Sequence, residues 1–219
     1  MKNHKWLRLM GNAILVGGFL ILVSTILHPL TLDPWNGNHA LERINHSLSM
    51  WVWDHSLMMI AMLLWYFGLL GGSLFLKHST PFIKIANGLF ILSVTVWMVV
   101  LTAELASLPA LAIEVAENPS RIMEIVWKSM FAFGLLGGYF AVLFTWISIF
   151  LLSLSIKKTN KKFTVLKKIG VYGGLIGALG IVISIIYSEM AILVLPITSG
   201  IPFIWTLMFG WIIRKEIVS

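Results

Sequence analysis

Long apolar runs alternate with short polar breaks along the whole chain. Six runs stand out, at about 6–27, 51–76, 82–103, 129–156, 169–195 and 197–213. Each is long enough for a helix that crosses a bilayer core, which takes roughly 17–25 residues. The last two are parted only by Pro196 and a short Thr-Ser-Gly turn, which predicts a tight hairpin. Glycines and prolines inside the runs fit this reading, because neighbouring helices satisfy the backbone groups they free. The pattern predicts an all-α integral membrane bundle of six transmembrane helices, forming one domain over 1–219. A polar loop at 28–50 separates the first two runs.

Composition strengthens that picture. The chain is 58% apolar and 11% charged, whereas a soluble domain carries roughly 25% charged residues. Its first partner is therefore expected to be the lipid bilayer. The run 9–27 exceeds the roughly 7–15 residues of a signal-peptide core and no small-x-small site follows it, so an uncleaved first helix is expected. There is no cysteine, which excludes disulfides, thiolate metal sites and thiol redox chemistry.

The net charge of +7 matters less than where it falls. Lys2, Lys5, Arg8, Lys77, Lys84, Lys157, Lys158, Lys161, Lys162, Lys167, Lys168, Arg214 and Lys215 share one side of the six-run plan, 13 of the 16 basic residues. Arg43, Arg121 and Lys128 are left on the other, together with eight of the nine acids. Short-loop lysines and arginines favour the cytoplasmic side. Both termini are thus expected in the cytoplasm of a cell-membrane protein, with 28–50 outside. The basic run at 157–168 becomes an orienting loop near anionic headgroups. No aromatic-interleaved basic surface accompanies it, so no nucleic-acid partner is expected.

FGLLGG occurs at 67–72 and again at 133–138. With Gly11-Asn12, Asn87-Gly88 and Gly170 in the odd runs, it suggests three repeated helical hairpins, an arrangement found in transporters. The plainer reading is a coincidence of common membrane residues, and the two copies sit at different depths. Either way, Gly68, Gly71, Gly72, Gly134, Gly137 and Gly138 would let helix backbones approach closely.

Polar chemistry collects at 28–59, which holds four of the six histidines, two aspartates and a glutamate. An ionisable side chain at mid-bilayer costs roughly 2.5–3.5 kcal/mol on insertion scales, so it usually faces a partner or a cavity. His28, His55, Glu104 and Glu189 fall at the outer ends of their runs, with Asp54 beside His55. Alternating helix directions would bring them to one shallow layer. Glu189 is followed by six apolar residues before Pro196 and is expected to be buried. Glu104 either shares that role or sits at the interface paired with Lys128 or Arg121.

His39, Glu42 and His46 would share one face of a helix at spacings of three and seven. Imidazole with carboxylate suits a transition metal; the blander reading is an amphipathic helix lying on the outer surface. His28 with His55 is also the pair that axial ligation of a b-type haem would use. Trp51, Trp53, Trp65 and Trp97 would then line the pocket, although Trp51 and Trp53 equally suit an interfacial belt. His4 and His78 fall in loops with no evident partner.

His28-Pro29 and Asp54-His55-Ser56-Leu57-Met58 resemble the His-Pro and Asp-His signature of the hydrogenase and urease nickel-permease accessory family. There the two elements share one helix; here they stand on two, and membership is not assigned. The site set to test is His28, His39, Glu42, His46, Asp54, His55, Glu104 and Glu189. It would bind haem b or a divalent transition metal, for electron transfer or metal handling. An ion or small-solute transporter using the same acids is the second reading. An accessory subunit of a larger membrane complex, bound to another membrane subunit, is the third. No Gly-x-Ser-x-Gly elbow, phosphate-cradling loop or long soluble segment points to other catalysis.

Overall fold

The computed structural model describes residues 2–28, 31–76, 80–157 and 159–215. Pro29, Lys77, His78 and Lys158, and the side chain of Lys2, lie outside that description. The described residues form seven α-helices and two 3-10 turns. The helices are α1 (Lys2–Leu27), α2 (Asn38–His46), α3 (Leu48–Ser73), α4 (Pro81–Glu117), α5 (Arg121–Leu154), α6 (Lys161–Ile186) and α7 (Ala191–Lys215). All but α2 are long and apolar enough to cross a membrane.

Local chemistry starts three of these helices. Thr80, Ser120 and Asn160 each accept a hydrogen bond from the backbone N–H three residues on, which satisfies one of the free donors of a first turn. Pro81 follows its cap at a position where no N–H is needed. Each long helix then packs on two neighbours: α1 on α3 and α7, α3 on α4, α4 on α5, α5 on α6 and α6 on α7. The six close a ring.

The start of α1 lies beside the end of α7, where Gly11 faces the Gly210 carbonyl and the Arg214 backbone. The start of α4 meets the end of α5 through Thr80 and Ser155, and Lys167 donates to the carbonyls of Leu154 and Ile156. This is the lysine end of the bundle. His28, the start of α3 and α2 mark the opposite, histidine end.

Two boundaries differ from the sequence expectation. The runs 82–103 and 129–156 missed the histidine-end extensions 104–117 of α4 and 121–128 of α5, helices of 37 and 34 residues. At 1.5 Å per residue these helices reach about 50 Å, well beyond a hydrocarbon core of about 30 Å. The extensions stay helical because Leu108, Ala112, Trp127 and Phe131 close a small second core with Ala40, Ile44 and Trp51. That core caps the histidine end and fixes α2 upon it.

The second correction concerns the last hairpin. The chain turns at Tyr187 and Ser188–Met190, and α7 runs straight through Pro196 and Pro202. Tyr-Ser-Glu is the polar break, and a proline inside a bundled membrane helix forfeits one hydrogen bond without ending it.

Candidate functional site

His55 is fully buried on α3, one turn after Trp51. Its Nδ1 lies 2.8 Å from the Trp51 carbonyl oxygen. A carbonyl only accepts, so Nδ1 carries a hydrogen, and in the neutral form of the ring the lone pair falls on Nε2. The Trp51 indole stacks on the same imidazole, with centroids 4.1 Å apart and planes 26° apart. Its Nε1–H donates to the Glu104 carbonyl at 2.7 Å, which ties α3 to α4 at this level. Sequence reasoning had offered Trp51 as a pocket wall or a belt residue; its part in fixing the ring was missed. The i, i+4 spacing of Trp51 and His55 was the available signal.

The free Nε2 of His55 points at the Glu104 carboxylate, 3.3 Å from Oε2, and has no hydrogen bond. Two lone-pair acceptors held that close in a low-dielectric setting repel one another. A proton on either group, or a cation between them, removes the conflict.

His28 closes the cluster from the end of α1. Its Nδ1 donates to Asp54 Oδ2 at 2.8 Å, and its ring stands edge-on to that of His55 with centroids 4.9 Å apart. Asp54 is buried, and its second oxygen, Oδ1, has no partner. Ligand-type atoms of His28, Asp54 and His55 all lie within 4.8 Å of one another. An unmade hydrogen bond at a buried polar atom costs about 1–3 kcal/mol. Two such atoms, His55 Nε2 and Asp54 Oδ1, in one cluster are what a site built to take up a proton or cation would show.

Gly134 of α5 makes room for Glu104: a Cβ there would stand 3.2 Å from Oε1. The second FGLLGG run therefore serves the site through one glycine. Lys128 pairs with Glu124, so the interfacial Lys128 partner considered for Glu104 is otherwise engaged.

The other candidates lie elsewhere. Glu189 is exposed on the 3-10 turn between α6 and α7. Its expected burial is corrected, because the helix ends before it and not after it. His39, Glu42 and His46 are exposed on α2, with His39 Nδ1 3.7 Å from Glu42 Oε2. They do not join the buried cluster, yet with Arg43 and His28 they line an open hollow of about 640 Å³ beside it.

Haem does not fit. The two imidazole centroids are 4.9 Å apart, closer than two axial ligands on opposite faces of one iron would stand. Trp53 points outward with 76% exposure. Trp65 bonds to Thr206 in the main core, and Trp97 packs over Gly138. A small cation suits the donors better: ligand-type atoms of two imidazoles and the Asp54 carboxylate converge, and the Glu104 carboxylate stands 3.3 Å from His55 Nε2 beside that group. A metal-binding histidine typically donates its other nitrogen to a carbonyl or carboxylate, as both Nδ1 atoms do here. Comparison with protein-family models, curated proteins and solved structures finds no match to this chain.

Proposed function

We propose that this multi-pass membrane protein handles a divalent first-row transition metal. The ion would bind His28, Asp54 and His55, with the Glu104 carboxylate beside His55 Nε2, near what the lysine asymmetry makes the outer face of the cell membrane. The convergence of His28, Asp54 and His55 within 4.8 Å carries the reading, and the two partnerless buried atoms support it. Nitrogen and carboxylate donors without thiolate suit ions of the zinc, nickel, iron or manganese type.

Metal and proton compete for the gap between His55 Nε2 and Glu104. Loading therefore releases protons and weakens in acid, since imidazole and carboxylate must both be deprotonated to coordinate. The test is titration of the purified protein in nanodiscs with Zn²⁺ or Co²⁺, followed by elemental analysis. One ion per chain is expected, lost in His55→Ala and accompanied by acidification of a weakly buffered solution. No stoichiometric uptake by the wild-type protein would refute the proposal.

Transport is a second reading, favoured by polar groups at three levels of the α3–α4 seam. Below His55 and Glu104, the Tyr66 hydroxyl meets Ser93 and Thr145. Nearer the lysine end, Asn87 donates to Ser73. Such a series gives an ion or proton successive polar stations across the bundle. Zinc-driven proton counterflow in sealed vesicles, diminished by Tyr66→Phe, would select this version. Binding without flux would restrict the protein to capture.

A further inference from the structure

The open hollow on the histidine end has a use that the buried cluster alone does not explain. Its polar lining is three imidazoles, one carboxylate and one guanidinium: His28, His39, His46, Glu42 and Arg43. His28 belongs to both places. Its ring retains 24% exposure and lines the hollow, while its Nδ1 is bound to Asp54 inside. No other residue lining the hollow belongs to the buried set.

We infer that the hollow is a capture site that takes a hydrated divalent transition-metal cation from the medium and delivers it through His28 to the buried cluster. This rests on the metal reading above and adds the route and the residues that set the rate. The helix that bears the capture residues is held in place. Ala40 and Ile44 of α2 are buried against the extensions of α4 and α5, so its opposite face presents His39, Glu42 and His46 as a fixed row. An amphipathic helix lying free on lipid would have no such anchor.

Charge balance suits transfer better than storage. Glu42 and Arg43 carry opposite formal charges, and the imidazoles supply the donors. A station that passes an ion onward must bind it well enough to receive it and weakly enough to release it. The inner site has the Asp54 carboxylate with Glu104 beside it, and no guanidinium pairs with either among the described residues, so it is the stronger acceptor. The ion sheds water in stages along this route, exchanging it for imidazole nitrogen at each step. No bond in the protein is made or broken.

A station on the route changes rates and leaves the end state alone, and that is the test. Zn²⁺ is mixed rapidly with the nanodisc-embedded protein in the presence of a fluorescent zinc indicator, and loading and release are timed. The His39→Ala/His46→Ala variant should load several-fold more slowly, because the ion loses the two imidazoles that would first replace its water. Release into chelator should slow by the same factor, with stoichiometry and affinity unchanged. Glu42→Gln should show the same pattern more weakly. These positions are exposed, so the fold has no stake in them, and a helical circular dichroism spectrum checks that. Unaltered rates in the double variant would overturn the capture route while leaving the buried metal site standing. Faster release with lost affinity would overturn it too, by making α2 part of the final ligand set. A wild-type protein that takes up no zinc would bring down both.

Discussion

His55 has two ring nitrogens in opposite situations, and that contrast carries most of the chemistry. Nδ1 is committed to the Trp51 carbonyl, whereas Nε2 is buried, unbonded and aimed at a carboxylate. Trp51→Phe keeps an aromatic ring over the imidazole but removes the indole donor to Glu104. It should cost more than about 1 kcal/mol of stability, the usual net value of one hydrogen bond, because the smaller ring also leaves a void in the second core. The loss is read as a lower thermal midpoint in detergent. Gly134→Ala tests the other side of the gap. Its methyl would press on Glu104 Oε1 at 3.2 Å and should lower zinc affinity about tenfold, as changes beside metal ligands do. Gly88→Ala, where a Cβ meets open space, should leave affinity unchanged. Much of this site was legible in the chain, because histidines and acids at helix margins are costly enough to advertise themselves. Glu189 carried the same signal and was misread, since its depth depended on where α6 ends. Gly134 was legible only as a close-approach glycine, because what it approaches is set by the pairing of α4 with α5.

Elements show a similar division. The six helices long and apolar enough to cross a membrane were readable because each shows as a long apolar run, interrupted only by a polar break. The cap was not. Segments 104–117 and 121–128 mix Glu and Lys with Leu, Ile and Trp, which reads as loop until Ala40 and Ile44 supply the opposite wall. The ring itself depends on glycine contacts that only a pairing can reveal. A methyl at Gly174 of α6 would stand 2.7 Å from the Trp146 carbonyl and 2.8 Å from the Phe150 nitrogen. Those are backbone atoms of α5 and cannot swing aside. Gly174→Ala should therefore destabilise by about 1–3 kcal/mol, the range for overpacked cores. Gly200→Ala in α7, which meets nothing within 4 Å, should be neutral or slightly stabilising. Parallel unfolding of the two variants by denaturing detergent separates a packed seam from a loose one.

At the scale of the whole molecule, the bundle has one end rich in lysine and one rich in histidine and acid, and the proposed function depends on which end meets the medium. If all six long helices cross, both termini fall on the same side, so one reporter decides. If the lysine end is cytoplasmic, as the distribution of 13 basic residues against three predicts, alkaline phosphatase fused after Ser219 should be inactive. That enzyme needs the disulfides an oxidising exterior allows. A fluorescent protein at the same position should glow. With that orientation, the hollow and His28 face the outside, where an ion would be captured from dilute supply. An active phosphatase would turn the hollow to the cytoplasm. The same ligands would then collect ions for export, and the zinc-loading rates of intact cells and inverted vesicles would exchange places.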